Sequence, residues 1–259
     1  MSRQSKQLEP QGSALHRVRL SSSPGSSRHV GSRSATLELE WAWSVCADLF
    51  SFAARDPNQL REEDLNRELI FCLLGGFAVP FELARSASNL VWKLNPFSRH
   101  WTEDRLQSRL MAELSKPQFQ PPRRSGALRR YRFPERKAEL IIGARRWLRE
   151  RESLLLDLQE LASEYERRQL LCDCPGVGPK TASWLLRNLG LAFGLAVLDV
   201  HVMRALQMAG RITSERLPRD YVLVEAQFLA WCDELAASPA AFDLFVWEWQ
   251  RGSLTSPSV

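Results

Sequence analysis

Apolar residues along most of this chain recur at three- and four-residue spacing, the period of helices that each bury one face. Leu37, Trp41, Val45, Leu49 and Phe52 set the first such run, which stops at Asp56-Pro57. A second helix is predicted over 62–74, ending on Gly75-Gly76, a third over about 80–93 and a fourth over about 102–114, each closed by Asn-Pro or Pro. Residues 119–134 are rich in Pro and Arg and read as a loop. Helices follow at about 135–150 and, after Ser153 as cap, at about 154–170. The rest is predicted helical over 180–189, 200–209, 219–236 and 240–251, the last opening with Ser238 as cap and Pro239 as first helical residue. Alternating β-branched runs are nearly absent and no internal repeat is found, so the predicted fold class is all-α.

The chain has 259 residues, 44% of them hydrophobic, enough for a sizeable core. No apolar run approaches the roughly 18 residues of a membrane span, and no apolar stretch follows the first basic residues, so neither membrane insertion nor classical secretion is expected. The formal charge of +5 sits in residues 1–35, which hold six Lys/Arg against Glu9 alone, so the remaining residues are neutral. That leader also carries ten serines, and it is expected to be disordered. It reads equally as a targeting peptide, a DNA-contacting arm or an inert extension. Global charge is therefore a poor argument for a nucleic-acid partner, and local clustering must carry it.

Such a cluster exists. Between Arg123 and Arg151 eleven Lys/Arg face only Glu135, Glu139 and Glu150. Arg123, Arg124, Arg129 and Arg130 fall in the loop and are candidates for contact with a duplex backbone, against the plainer reading of a solvated face. Five cysteines, odd in number and without a Cys-x-x-Cys, support neither a disulfide framework nor a four-thiolate metal site and suggest a reducing compartment. His16, His29 and His100 are isolated, and no transition metal is expected.

The most informative segment is Leu171-Cys-Asp-Cys-Pro-Gly-Val-Gly-Pro-Lys-Thr-Ala-Ser-Trp-Leu-Leu-Arg-Asn-Leu-Gly190. Gly176 and Gly178 permit a tight turn between two helices, and Pro179 suits the first position of the second. Amides of Gly176, Val177 and Gly178 at that helix's amino end make an anion site suited to a DNA phosphate. This is a helix-hairpin-helix, a motif that also serves non-catalytic DNA-binding modules. Nineteen residues after Lys180 comes Leu198-Asp199-Val200-His201. The helix from Lys180 climbs roughly 14 Å, while nine extended steps after Gly190 reach up to about 30 Å, so the chain is able to return and present Asp199 near Lys180. Asp199 would cap the next helix, and a cap alone is the plainer reading.

Gly-Val-Gly-Pro-Lys followed by Leu-Asp-Val-His resembles the helix-hairpin-helix, Gly/Pro-rich-loop and aspartate superfamily of DNA glycosylases. Lys-Thr-Ala-Ser-Trp-Leu-Leu-Arg-Asn and Leu-Ala-Val-Leu-Asp look closest to its archaeal and bacterial 8-oxoguanine glycosylase/lyases. Weaker matches lie in Asn66-Arg-Glu-Leu-Ile-Phe-Cys-Leu-Leu and Arg132-Phe-Pro-Glu-Arg-Lys-Ala-Glu-Leu-Ile.

The resemblance implies a two-lobed fold with a cleft between the lobes. One lobe would be residues 71–206, containing the hairpin at 171–190, and the other 36–70 plus 207–259. It implies that Lys180 is a nucleophile, Asp199 the catalytic aspartate and His201 a phosphate contact. Asp243 and Trp247 resemble an aspartate and aromatic pair that grips a flipped purine, although Trp247 and Trp249 also fit a core. Trp184, one turn after Lys180, is the preferred stacking wall among nine tryptophans. Excision of 8-oxoguanine with lyase activity is the implied reaction. The alternatives are a glycosylase for a bulky modified cytosine, with a role against phage, and a DNA-binding module without turnover. The expected partner is double-stranded DNA containing a modified base, and the protein is expected to act as a monomer in the cytoplasm or nucleoid, or in a nucleus or organelle if eukaryotic. No iron–sulfur cluster is expected, because only Cys232 lies near the carboxyl end. The motif class admits a potassium or sodium ion on hairpin carbonyls.

Overall fold

The computed structural model describes residues 31–50, 59–76 and 79–252. Eleven α-helices run through these residues, with a 3₁₀ turn at Ala47–Phe50 and one isolated bridge between Phe119 and Arg129 as the sole extended pairing described. Among the described residues no helix is long and apolar enough to cross a membrane. Of the leader expected to be disordered over 1–35, residues 1–30 lie outside the described residues, while 31–35 are not disordered but open the first helix, Gly31–Cys46.

The chain divides into two compact units, residues 54–192 and residues 1–53 with 193–259. These bounds differ from those expected at 70/71 and 206/207. Each of the latter would cut a continuous helix, Glu62–Leu74 or Val200–Met208, whose internal hydrogen bonds hold it together.

The unit at 54–192 holds α2 (Glu62–Leu74), α3 (Phe81–Lys93), α4 (Glu103–Ser115), α5 (Pro134–Arg149), α6 (Leu154–Glu160), α7 (Glu164–Cys172) and α8 (Pro179–Leu189). Its core comes from one stripe per helix: Leu83, Ala87 and Val91 on α3, Leu106, Leu110 and Leu114 on α4, Ala138, Ile141 and Ile142 on α5, with Ile70 and Leu74 of α2. Phe119 and Tyr131 from the intervening loop join this core. That loop is tied by the Arg123 N–H to the Ala127 carbonyl at 2.8 Å and by the Phe119–Arg129 pairing.

The single helix predicted over 154–170 is two. Leu161 is extended, and Ser163 restarts the helix through a capping box in which its hydroxyl accepts from the Glu166 N–H at 3.1 Å and the Ser163 N–H donates back to Glu166 Oε2 at 2.9 Å. Ser163→Ala removes that acceptor and is expected to cost about 1 kcal/mol. A thermal melt checks this: a decrease of a few degrees is expected, and an unchanged midpoint would show that α7 does not depend on its cap.

The other unit holds α1 (Gly31–Cys46), the 3₁₀ turn, α9 (Val200–Met208), α10 (Tyr221–Glu234) and α11 (Pro239–Gln250). The run Leu37, Trp41, Val45, Leu49 that makes α1 legible is not the face it buries, since each of these is at least half exposed. Leu39, Ala42, Trp43 and Cys46 turn inward instead, with Trp43 edge-on to Phe242 and Phe245 of α11. Trp231 lies wholly buried, its indole N–H on Glu40 Oε1 at 2.9 Å. Ser238 precedes α11 as expected, but its side chain makes no capping bond, so Pro239 at the first helical position carries that start alone.

Candidate active site around the helix hairpin

α7 and α8 pack together, and the hairpin between them is built on backbone needs that few residues meet. Gly176 has φ +85, and a Cβ there would lie 2.6 Å from a methyl carbon of Leu140. Gly143, in the middle of α5, leaves room for the Pro175 ring, whose Cβ would sit 2.9 Å from an added Cβ. The two glycines seat the hairpin on α5. Gly178 differs: its φ is −99, it caps α8, and a Cβ there would meet nothing within 4 Å. Its side faces open space, which suits an approach by a ligand.

Of the three amides expected to bind phosphate, that of Val177 is not available, because its N–H closes the turn onto the Cys174 carbonyl at 3.0 Å. Val177 itself is buried. The Gly176 and Gly178 amides have no backbone acceptor among the described residues, and the first helical bond of α8 is Ala182 N–H to Gly178 O at 2.9 Å. The Thr181 amide stands in the first turn of α8, with the positive end of the helix dipole behind it. α8 ends cleanly on Gly190, left-handed at φ 73, with Leu191 N–H reaching back to Leu186 O at 2.9 Å.

Lys180, half-buried, opens α8 and lays its ammonium 4.3 Å from the centre of the Trp184 ring. Trp184 is held in turn. Its ring meets Phe71 edge-on at 5.1 Å between centroids, and it lies so close over Gly75 that an added Cβ would come within 2.6 Å of it. The close approach, rather than the backbone conformation, is what requires glycine at 75, where φ is −73. The structure thus joins Lys180 to Trp184 as expected and adds Gly75 and Phe71, which the sequence offered only as a helix stop and a core residue.

In the other unit, Asp199 caps α9. Its Oδ1 accepts from the His201 N–H at 2.8 Å and the Val202 N–H at 3.0 Å, while Oδ2 takes no hydrogen bond from the described residues. The segment leading into it is fixed from α10 and α11. Tyr221 donates its hydroxyl to the Ala196 carbonyl at 3.0 Å, Glu225 Oε1 accepts the Ala196 N–H at 3.2 Å, and the Ala240 N–H donates to Phe193 O at 3.1 Å. His201 Nδ1 is buried without a hydrogen-bond partner among the described residues, so a contact from that ring to phosphate would have to use Nε2.

Asp243 is buried on α11, and Trp247, one turn on, is half-buried with the Arg251 guanidinium 4.1 Å from its ring centre. Trp249, partly buried, packs against the core; Trp247 is not among the residues packed on it. Trp43 is also core, and Trp92 and Trp101 pack against the core of the hairpin unit.

The basic run from Arg123 to Arg151 is less free than its charge suggests. Arg136 pairs with Glu139, Arg146 with Glu103 at 2.5 Å, Arg151 lies over Trp147, and Lys137 and Arg145 donate to backbone carbonyls. Arg123, Arg124 and Arg130 are exposed, whereas Arg129 is half-buried with its backbone in the bridge. Among the described residues no group of three or more His, Cys, Asp or Glu is disposed to hold a metal ion.

An all-α chain in two compact units, with a lysine in the first turn after a Gly-Val-Gly hairpin and a helix-capping aspartate following it, has the architecture of the helix-hairpin-helix DNA glycosylase fold. The family model for 8-oxoguanine DNA glycosylase matches residues 51–237, and the chain belongs to that family. It is 30% identical over 130 residues to the 8-oxoguanine DNA glycosylase/AP lyase of Thermotoga maritima, a match covering 48% of this chain and 59% of that protein. The match thus spans less than two thirds of the curated relative. A longer alignment, to the protein of the same description from Sulfurisphaera tokodaii, has 24% identity and covers 76% of this chain and 87% of the relative. The crystal structure of the Thermotoga maritima 8-oxoguanine DNA glycosylase superposes with a TM-score of 0.62 at 26% identity, over 85% of this chain and 98% of that one.

Proposed function

We propose that this protein is a DNA glycosylase with abasic-site lyase activity that removes 8-oxoguanine from duplex DNA, with Lys180 as nucleophile and Asp199 as the carboxylate that stabilises the sugar cation. The observation that carries the reading is Lys180 in the first turn of α8, two residues after Gly178, whose side faces open space, and over the Trp184 ring. Phosphate held at the hairpin would bring a backbone to this point, and an amine beside it would then reach a sugar.

In the reaction the bond from the sugar C1′ to the base breaks with oxocarbenium character, the neutral Lys180 amine bonds to C1′, and the base leaves carrying the electron pair. Asp199, held by two amides on Oδ1, offers Oδ2 to the developing positive charge. Loss of an amine proton and opening of the sugar yield a Schiff base. Removal of a C2′ proton then expels the 3′ phosphate and cuts the strand. Because a base inside the duplex is out of reach, it must be flipped, and Asp243 and Trp247 are the proposed pocket residues. His201, the Gly176 and Gly178 amides and the exposed Arg123, Arg124 and Arg130 are the proposed phosphate contacts. The support for 8-oxoguanine is the family; a relative from Methanocaldococcus jannaschii, with a TM-score of 0.56 at 19% identity, has been crystallised with a 15mer DNA containing 8-oxoguanine.

The test is a panel of duplexes, each with one modified base, incubated with the full chain. Release of 8-oxoguanine with strand cleavage is expected. Release of a bulky modified cytosine in its place would move the assignment to that substrate, and binding without release of any base would reduce the protein to a DNA-binding module.

A further inference from the structure

The last two carbonyls of α2 and that of Gly75, the residue after it, are each taken by a side chain from elsewhere in the same unit. The Tyr131 hydroxyl donates to Leu74 O, and the Lys137 ammonium donates to Leu73 O at 2.5 Å and Gly75 O at 2.7 Å. Helix ends leave such carbonyls unpaired, and a cation there also meets the negative end of the helix dipole. Capping explains why a donor stands at 137. It does not explain a half-buried cation at this helix end, where Gly75 is the residue against which Trp184 packs and Trp184 is the ring under Lys180. Lys137 and Lys180 are thus linked through one glycine and one indole.

We propose that Lys137 is a positioning residue for the nucleophile: fixed on the Leu73 and Gly75 carbonyls, its positive charge disfavours the ammonium form of Lys180 and so supplies the neutral amine that attacks. The inference rests on the reading of Lys180 as nucleophile. A lysine is a poor nucleophile while protonated, and one established way to lower its proton affinity is a neighbouring cation. The repulsion is reciprocal. Burial, then the charge of Lys180, then that of Arg136, pull Lys137 down to about 8. What Lys180 does to Lys137, Lys137 does to Lys180.

Other charges surround the pair. From α2, Glu68 opposes the effect: its Oε1 accepts from Asn188 at 2.6 Å and from the Cys72 thiol at 3.9 Å, neutral donors that leave its charge in place. Arg187, on the same helix as Lys180, adds positive charge and, with Lys180, acts on Cys72. From α7, Arg167 donates to the carbonyls of Leu158, Leu161 and Leu191, and Arg168 lies over Tyr165. From α4, Glu103 is engaged by Arg146, and Glu113 by Arg109 and Lys116. On α5 itself Arg136 pairs with Glu139.

The experiment is borohydride trapping of the full chain on a duplex with a preformed abasic site, followed from acid to alkaline pH for wild type, Lys137→Gln and Lys137→Arg. An abasic substrate bypasses base recognition, so the yield reports the amine. Lys137→Gln is expected to raise the midpoint for adduct formation by about one unit, giving about tenfold less adduct at pH values below it. Lys137→Arg keeps the charge and is expected to hold the midpoint at or below that of wild type. A purely structural cap would lower the melting temperature in both variants and leave the midpoint in place, which would overturn the proposal, as would an equal upward shift in both. Should Lys137→Gln fail to fold, the arginine variant decides alone, and a midpoint above that of wild type refutes the role. No adduct from wild type at any pH would sink the nucleophile assignment itself, a result distinct from an unshifted midpoint.

Discussion

Lys180→Gln is expected to form no borohydride-trapped adduct with an abasic or 8-oxoguanine duplex and to lose strand cleavage below detection, while still binding the duplex. The reason is chemical rather than steric. An amide nitrogen, its lone pair delocalised into the carbonyl, does not condense with an aldehyde, so the Schiff base has no route through this position. The fold should tolerate the change. Glutamine is nearly as good a helix former as lysine. Losing the ammonium over Trp184 costs about 0.5–1 kcal/mol at a half-exposed site. The hairpin amides are main-chain groups and stay where Gly176, seated on Leu140, puts them. Binding and catalysis should therefore separate, as they would not if Lys180 served only to contact phosphate. In that case the variant would weaken binding slightly and leave trapping untouched. An adduct that persists would have to be mapped to another lysine, and Lys137, held on the carbonyl of the glycine against which that ring packs, is the first to examine.

What could be read from the sequence follows from how local each feature is. Pro179 and Gly190 bracket α8 because one presets the backbone at a helix start and the other takes the left-handed turn at its end, both properties of single residues. Ser153 works the same way, its hydroxyl accepting the Leu156 N–H. The break between α6 and α7 was also written locally, as Ser163-x-x-Glu166, but the leucines on either side keep a helical period across it and hide it. On α1 periodicity finds the helix and misleads about the face, because two apolar stripes run along it and only packing against α9 and α11 selects Leu39, Ala42 and Trp43. Lys137 was the least legible. In the sequence it is one more charge in a basic run, and its role arises from carbonyls more than sixty residues earlier. Gly143 did leave a signal, since a glycine inside a helix calls for a packing reason, here the Pro175 ring.

Asp199→Asn is the variant that distinguishes a helix cap from a catalytic group. Asparagine ranks with aspartate as an N-cap, and its amide oxygen can accept the His201 and Val202 N–H groups as Asp199 Oδ1 does now. The melting temperature is therefore expected to stay within about a degree or two of wild type, the span of a few tenths of a kcal/mol. Excision of 8-oxoguanine is expected to fall by about 10²–10³-fold, because a neutral amide cannot balance the positive charge that develops on the sugar. Asp199→Ala removes both functions and should add a stability loss of about 1 kcal/mol to the same loss of rate. Melting curves and single-turnover base release on the three proteins decide between the readings. If Asp199→Asn excised at the wild-type rate, the carboxylate would have no part in the chemistry, and Asp199 would be a helix cap whose second oxygen is idle.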